Sequence, residues 1–324
     1  MRKALVIGLN DYPRCPLDGC VNDANAIANI LARNGDNSPN FDVQKITNTA
    51  TRAELLKGIR ALFDGKSDVE LLYFSGHGMV SKGNSYIVST DYNYEEENYG
   101  VKLDDILTIA NASHAKHKVI ILDSCHSGAM GTPEAFGNSC AQIGDGLTIF
   151  TSSLANEASM EINGHGVFTS LLLEALKGGA ADIVGNITPG SVYAYIDKAL
   201  GPWEKRPVFK TNVSSFLPLR TVEPAIPLPC LRAITAYFSN ADTQLKLDPS
   251  FEYTNTPEHP HELVKPYANP KNVEILKGLQ LLESVGLVQP VDEKHMYYAA
   301  MHSKSCKLTP LGKHFWYLVS QNKI

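Results

Sequence analysis

The run Val69-Glu70-Leu71-Leu72-Tyr73-Phe74 passes directly into Ser75-Gly76-His77-Gly78. A second run, Val119-Ile120-Ile121-Leu122, passes in the same way into Asp123-Ser124-Cys125-His126. Short, largely apolar runs of this kind read as strands covered on both faces, and each stops at a polar tetrapeptide. Working outward, Ala4–Gly8, Ser85–Ser89 and Leu147–Thr151 read as further strands. Helical patterns lie between them. Asn22–Ala32 sets Ala26, Ile27, Ile30 and Leu31 at helical spacing. Thr51–Phe63 opens with Thr51 and Glu54 at the spacing of a capping box. Leu103–Ala110 carries Asp104 and Asp105 near its positive end. Val167–Leu176 runs up to Gly178-Gly179, a helix stop. Strands alternating with helices predict an α/β fold with a mostly parallel central sheet flanked by helices. Ligands bind such sheets at the carboxyl ends of the strands. His77 and Cys125 are both expected there, just past a strand end.

The chain has 324 residues, enough for two domains, with boundaries expected at 1–220 and 221–324. Pro224, Pro227 and Pro229 read as a linker. Beyond it, Val273, Leu276, Leu279, Leu282 and Val285 form one apolar helix face, stopped by Gly286. Leu287–Val291 and His295–Met301 read as a small hairpin. Leu308–Val319 reads as a closing helix, with Thr309 as N-cap and Pro310 in first position. Helix, hairpin and helix predict a small α+β, winged-helix-like unit.

Charge narrows the partners. The formal net charge of −5 excludes a basic surface over the whole protein, so nucleic acid is not the expected partner. Residues 222–324 carry ten basic and ten acidic side chains, which argues against duplex binding by that unit. No apolar run approaches the ~20 residues of a membrane helix. The apolar run Ala4–Leu9 ends at Asn10 and Asp11, too soon for a secretion signal. Six cysteines, at 15, 20, 125, 140, 230 and 306, form no CxxC pair and no disulfide scaffold. The expectation is a cytoplasmic protein with reduced thiols and no membrane partner.

A cysteine peptidase needs a thiolate, a base to generate it, and donors for the oxyanion. A free thiol with a pKa near ~8.5 is ionised only to a few per cent at neutral pH, so a nearby imidazole matters. Cys125 and His77 fit these roles. The glycines on both sides of His77 admit close backbone approach and leave the Gly78 N–H to point at an oxyanion. His126 adjoins Cys125, but adjacent residues of an extended chain point to opposite sides, so His126 is the poorer base.

Tyr73-Phe74-Ser75-Gly76-His77-Gly78 and Asp123-Ser124-Cys125-His126-Ser127-Gly128 resemble the two catalytic motifs of the caspase-like clan, and of metacaspases in particular. The separation of His and Cys by about 50 residues fits that clan. The resemblance extends to Leu17-Asp18-Gly19-Cys20-Val21-Asn22-Asp23-Ala24 and to Gly166-Val167-Phe168-Thr169, and covers about residues 1–220. It implies a caspase-like sandwich and a Cys125–His77 dyad, with the N–H groups of Gly78 and Cys125 as oxyanion donors. Caspases cut after Asp, using an Arg before the first helix and a Gln two residues before the nucleophile. The matching positions here are Leu17 and Asp123. In metacaspases the pocket is acidic and takes Arg or Lys, and its positions map onto Cys20, Asp23, Ser75 and Asp123. Two carboxylates facing one guanidinium discriminate against an acidic side chain by roughly 10⁴-fold. The implied partners are protein substrates with exposed Arg or Lys.

Three features leave alternatives open. From Val119 to Leu176, 58 residues hold no Lys or Arg, where roughly five would be expected. Either this Arg/Lys-directed enzyme lacks sites for cutting itself in the segment Ala129–Gly146, or buried strands and small-residue loops exclude Lys. Asp91, Asp104 and Asp105 resemble three calcium-ligand positions of metacaspases. The fourth aspartate is missing, with Thr132 and Glu134 near its place, and no other cofactor is implied. The C-terminal unit holds His259, His261, His295, His302 and His314 among many aromatics, which either fill a core or stack on a base. By family analogy it is a regulatory module reading a ligand or partner, such as a signalling nucleotide, and releasing a protease of antiviral defence or cell suicide. A non-proteolytic caspase-fold scaffold and a DNA-binding regulator are the alternatives.

Overall fold

The computed structural model describes residues 1–126, 143–152, 161–162, 165–201, 206–259 and 262–324, without the side chains of 125, 126, 161 and 162. Most of the segment Ala129–Gly146, with Thr132 and Glu134, lies outside the described residues. The chain divides into two compact units, Met1–Glu223 and Pro224–Ile324.

The first unit opens with β1 (Arg2–Gly8), α1 (Cys20–Ala32), β2 (Asp42–Thr47) and α2 (Arg52–Leu62). It continues through β3 (Val69–Ser81), β4 (Asn84–Ile87), β5 (Val101–Lys102), α3 (Leu103–Ala112), β6 (His117–His126) and β7 (Leu147–Thr151). An antiparallel pair, β8 (Glu161–Ile162) and β9 (His165–Gly166), leads into α4 (Val167–Glu174). Then come β10 (Asn186–Ile187), α5 (Pro189–Leu200), β11 (Val208–Asn212) and β12 (Arg220–Thr221).

The main sheet has the order β11-β7-β6-β3-β1-β2, with β4 and β5 continuing from β3. β2, β1, β3, β6 and β7 run parallel, and β11 closes one edge antiparallel to β7. This is the mostly parallel, helix-flanked sheet expected of the sequence. Period-two alternation gives the inner strands β1, β3, β6 and β7 two buried faces, while the edge strands β2 and β11 stay partly exposed. Ala4, Val6, Leu71, Tyr73, Val119 and Ile121 pack with Ile27 and Leu31 of α1 and with Phe168, Leu172 and Ile196 of α4 and α5. Leu5, Ile7, Leu72, Phe74, Ile120 and Leu122 pack with Leu55 and Ile59 of α2 and with Ile106 of α3. Thr51 and Glu54 form the expected capping box at the start of α2.

Two strands are longer than their apolar runs. β3 continues through Ser75-Gly76-His77-Gly78 to Ser81, and β6 through Asp123-Ser124-Cys125-His126. His77 and Cys125 therefore lie within strands, not past their ends. Pairing overrides polarity here, because Ser75 to Gly78 stay in unbroken register with Asp123 to His126. β1 stops at Gly8 opposite Ser75, and β7 at Thr151 opposite Leu122. Past those points β3 and β6 pair with each other as a two-stranded ribbon, and β4 takes up β3 from Gly78 onward.

Two glycines set the geometry of this end. A Cβ at Gly8 would lie 2.2 Å from the Cys20 carbonyl oxygen, so the missing side chain lets α1 start directly on the end of β1. Asn10 then caps that helix from outside, its Oδ1 accepting from the Val21 N–H at 3.2 Å. A Cβ at Gly76 would lie 2.6 Å from the Tyr12 hydroxyl and 2.7 Å from the Phe74 ring.

The second unit contains α6 (Leu228–Arg232), α7 (Ile234–Tyr237), β13 (Gln244–Lys246), α8 (Pro270–Ser284), β14 (Val288–Val291), α9 (Met296–Met301), β15 (Ser305–Leu308) and α10 (Pro310–Ser320). It is α+β, with an antiparallel sheet in the order β13-β15-β14. The expected hairpin of Leu287–Val291 with His295–Met301 does not form. Met296–Met301 is helical, burying Met296, Ala299 and Ala300, and β14 pairs instead with β15. The proline-rich stretch is also more than a linker: Pro227 caps α6 and Pro229 sits in its first turn. Among the described residues, no helix is long and apolar enough to cross a membrane.

Candidate active site

His77 is held from three directions. Its backbone N–H donates to the Tyr12 hydroxyl at 3.1 Å, and the ring meets the Tyr12 ring edge-on at 4.5 Å between centroids. Tyr12 in turn donates to the Val88 carbonyl at 3.1 Å. Burial holds its phenol well above the ordinary range, so it stays a neutral donor. The imidazole Nε2 lies 2.7 Å from the Cys15 carbonyl oxygen. A carbonyl only accepts, so Nε2 carries the hydrogen and Nδ1 presents the lone pair. That tautomer makes Nδ1 the atom that takes a proton.

Cys125 is the register partner of His77, and His126 that of Gly78. Residues 75 and 77 of β3, and 123 and 125 of β6, continue one phase of the pleat, and residue 126 falls in the other. A cavity of about 550 Å³ opens beside His77, lined by Tyr12, Cys15, Met79, Val88, Tyr92 and Tyr94 among others.

The acidic residues converge at the same end of the sheet. Asp23, in the first turn of α1, is buried at 3% exposure. Its Oδ2 accepts from the Ser75 hydroxyl at 3.1 Å, and its Oδ1 lies 2.7 Å from Nδ1 of His165. Burial is the main cause that pushes its carboxyl up to about 6, against the pull of the His165 bond, with the neighbouring Asp123 adding to the rise. Asp123 keeps partial access to solvent. Its Oδ2 accepts from the Thr169 hydroxyl at 2.6 Å. That hydroxyl has one hydrogen, so the fully buried Tyr73 hydroxyl, 2.5 Å away, donates to it in turn. Desolvation raises the Asp123 carboxyl as well, against opposing bonds from Thr169 and Ser152. A Cβ at Gly166 would lie 3.4 Å from Asp123 Oδ2 and 3.8 Å from Asp23 Oδ2, so both carboxylates flank one point. Cys20 opens α1 alongside, and Leu17 packs against the core beneath.

The structure thus brings Asp23, Ser75 and Asp123 together beside the His77–Cys125 register pair. It does not bring Asp91 together with Asp104 and Asp105. Asp91 Oδ1 accepts from the Arg52 N–H at 3.0 Å, and Asp104 pairs with Lys102 at 3.0 Å. Among the described residues, no group of three His, Cys, Asp or Glu side chains is placed to hold a metal ion. The sequence reading missed the Cys15 carbonyl, Tyr12, Tyr73, Thr169 and His165. Thr169 stood inside a quoted motif, and His165 immediately before it.

The family model described as caspase domain matches residues 1–198. The chain belongs to the caspase domain family. Cysteine peptidase chemistry is the activity of that family, and the caspase domain here places its His and Cys motifs side by side. A search of curated proteins found no match to the chain. A solved structure titled "structure of pro-sf-caspase-1" is similar, with 14% sequence identity, 68% of this chain and 91% of that chain covered, and a TM-score of 0.47.

Proposed function

We propose that this caspase-domain chain is a metacaspase-like cysteine endopeptidase that cleaves after Arg or Lys. The observation that carries the reading is the convergence of Asp23 and Asp123 on one point beside His77. Two desolvated carboxylates attract a guanidinium or ammonium and repel an acidic side chain. Leu17, which packs on the core where an Asp-specific caspase has its Arg, fits the same reading.

The steps follow from the tautomer. Nδ1 of His77 takes the thiol proton of Cys125, and the thiolate attacks the carbonyl carbon of the scissile bond. The Cys15 carbonyl, bonded to Nε2–H, holds the ring and stabilises the imidazolium. N–H groups of Gly78 and Cys125 stabilise the oxyanion. The imidazolium returns the proton to the leaving amine, and water releases the acyl group. The cavity beside His77 gives the leaving segment its exit.

In the same proposal, Pro224–Ile324 is the regulatory unit. Its exposed Tyr298, in ring contact with the exposed Tyr297 and His302, supports a role in reading a ligand, with a signalling nucleotide as the trigger class and defence or cell suicide as the setting.

The test is cleavage of matched Arg, Lys and Asp peptides by wild type and Cys125→Ala, with calcium and with excess chelator. Turnover of the Arg or Lys peptide that Cys125→Ala abolishes is the expected result. Turnover confined to the Asp peptide overturns the pocket reading. Calcium dependence would give Asp91, Asp104 and Asp105 a role. Wild type silent on every peptide, with or without added cyclic nucleotides, favours a scaffold.

A further inference from the structure

One group in the acidic pocket has no part in the steps above. His165 stands on β9, a two-residue strand, with its Nδ1 2.7 Å from Asp23 Oδ1. A carboxylate only accepts, so that nitrogen carries the hydrogen. The His165 side chain is 19% exposed, that of Asp23 4%. The next residue, Gly166, is the point that both carboxylates flank. The imidazole therefore sits on a carboxylate oxygen that an incoming guanidinium needs. This argument rests on the Arg/Lys reading of the pocket. We propose that His165 is a displaceable counter-group: it occupies Asp23 through a hydrogen bond while the pocket is empty, and a basic substrate side chain must evict it to bind.

The surroundings favour eviction by a strong cation and by nothing weaker. From α1, His165 faces Asp23, with the Asn22 amide 3.4 Å from the same ring nitrogen. β6 contributes Asp123, already bonded to Thr169 of α4. β3 contributes Ser75, bonded to Asp23, and the Tyr73 hydroxyl, bonded to Thr169. On β8, Glu161 is the register partner of Gly166. None of these groups is a Lys or Arg, so none of them brings a fixed positive charge to Asp23. A neutral imidazole gives Asp23 one bond. A guanidinium gives it two and carries its charge at every pH. A neutral or acidic substrate side chain offers too little to displace even that one bond. Asp23 gains a proton as pH falls towards about 6, and the His165 bond opposes that gain, so binding is compared at pH 8, where the carboxylate is ionised.

The experiment is benzamidine binding to the full chain by calorimetry at pH 8, in wild type, His165→Ala and His165→Gln. His165→Ala should bind more tightly than wild type, by up to about tenfold. His165→Gln, which keeps one amide donor on a more flexible side chain, should lie between the two. It carries the test if His165→Ala does not fold. In wild type, saturating benzamidine should shift the His165 ring resonances. Equal or weaker binding by the variants, or unmoved resonances, overturns the proposal. Turnover of the Arg peptide, measured in parallel, reports on the peptidase reading alone. Its absence while the benzamidine gap is present overturns the activity and leaves the counter-group standing. Benzamidine binding by none of the proteins overturns both.

Discussion

Carboxylates are buried at both ends of the central sheet, and they are treated differently. Glu70, near the amino end of β3, is 0% exposed and accepts a hydroxyl on each oxygen, from Ser67 at 2.5 Å and from Ser113 at 2.6 Å. Asp23, at the carboxyl end, has one hydroxyl and one imidazole, and its carboxyl is pushed up to about 6. Glu70 is closed in by two hydroxyls, and Lys118, its register partner on β6, adds a positive charge nearby. Asp23 shares its end of the sheet with a second carboxylate and is held by an imidazole on a two-residue strand. Burial alone does not mark a functional acid. The mark is an acid whose partners leave its charge poorly neutralised beside groups that do chemistry.

The largest expected break between the two ends is Cys125→Ala. It should lower Arg-peptide turnover by at least about 10⁴-fold while leaving the thermal unfolding midpoint within a few degrees. Next come Asp23→Asn and Asp123→Asn, each expected to lower kcat/KM for Arg peptides by about 10²- to 10³-fold. Glu70→Ala should do the reverse. Denaturant unfolding should show a loss of about 2 kcal/mol, since the buried Ser67 hydroxyl and the half-buried Ser113 hydroxyl lose their acceptor, and kcat/KM of the folded protein should stay within about twofold. If Glu70→Ala removed turnover from folded protein as thoroughly as Asp23→Asn, the contrast between the ends would be wrong.

The smallest effect is a pH dependence. The Asp23 carboxyl is raised above its ordinary value of 3.8 to about 6, so the folded state holds that proton more tightly than the unfolded state does. Its contribution to stability is fully present below about pH 4 and is lost as pH rises through about 6. Asp23→Asn should therefore gain stability relative to wild type as pH is raised from 4 to 7. Paired denaturant melts across that range would show the difference, and a difference of opposite slope would refute the assignment.

The layers of the first unit were legible because the apolar runs at Ala4, Val69, Val119 and Leu147 are short, continuous and separated by helical patterns. Strand length was not. Whether Ser75-Gly76-His77-Gly78 stays extended depends on a partner strand about 50 residues away, and polarity within the tetrapeptide says nothing of it. The His295–Met301 stretch failed for a related reason. Its Tyr-rich sequence suits a strand, but burial of Met296, Ala299 and Ala300 at helical spacing wins. Within the site, the residue types of Asp23, Ser75, His77, Asp123 and Cys125 carried a signal of their own. His165 did not, because a lone histidine before a glycine gains meaning only from a carboxylate 142 positions earlier. The Cys15 carbonyl left no trace, since any residue there has one.

The acidic pocket draws on residue 23 near the start of the chain and on 165, 166 and 169 much later. A ribosome adds about 5–20 residues per second, so the first carboxylate waits roughly 7–30 s for the rest of its site. Cys125 emerges within that interval. Under the proposed reading, the growing chain during it holds a thiol and a histidine with no finished pocket to present a basic side chain to them. Order of synthesis alone would then keep the newborn protein from choosing substrates, its neighbours on the polysome included, until α4 has been made.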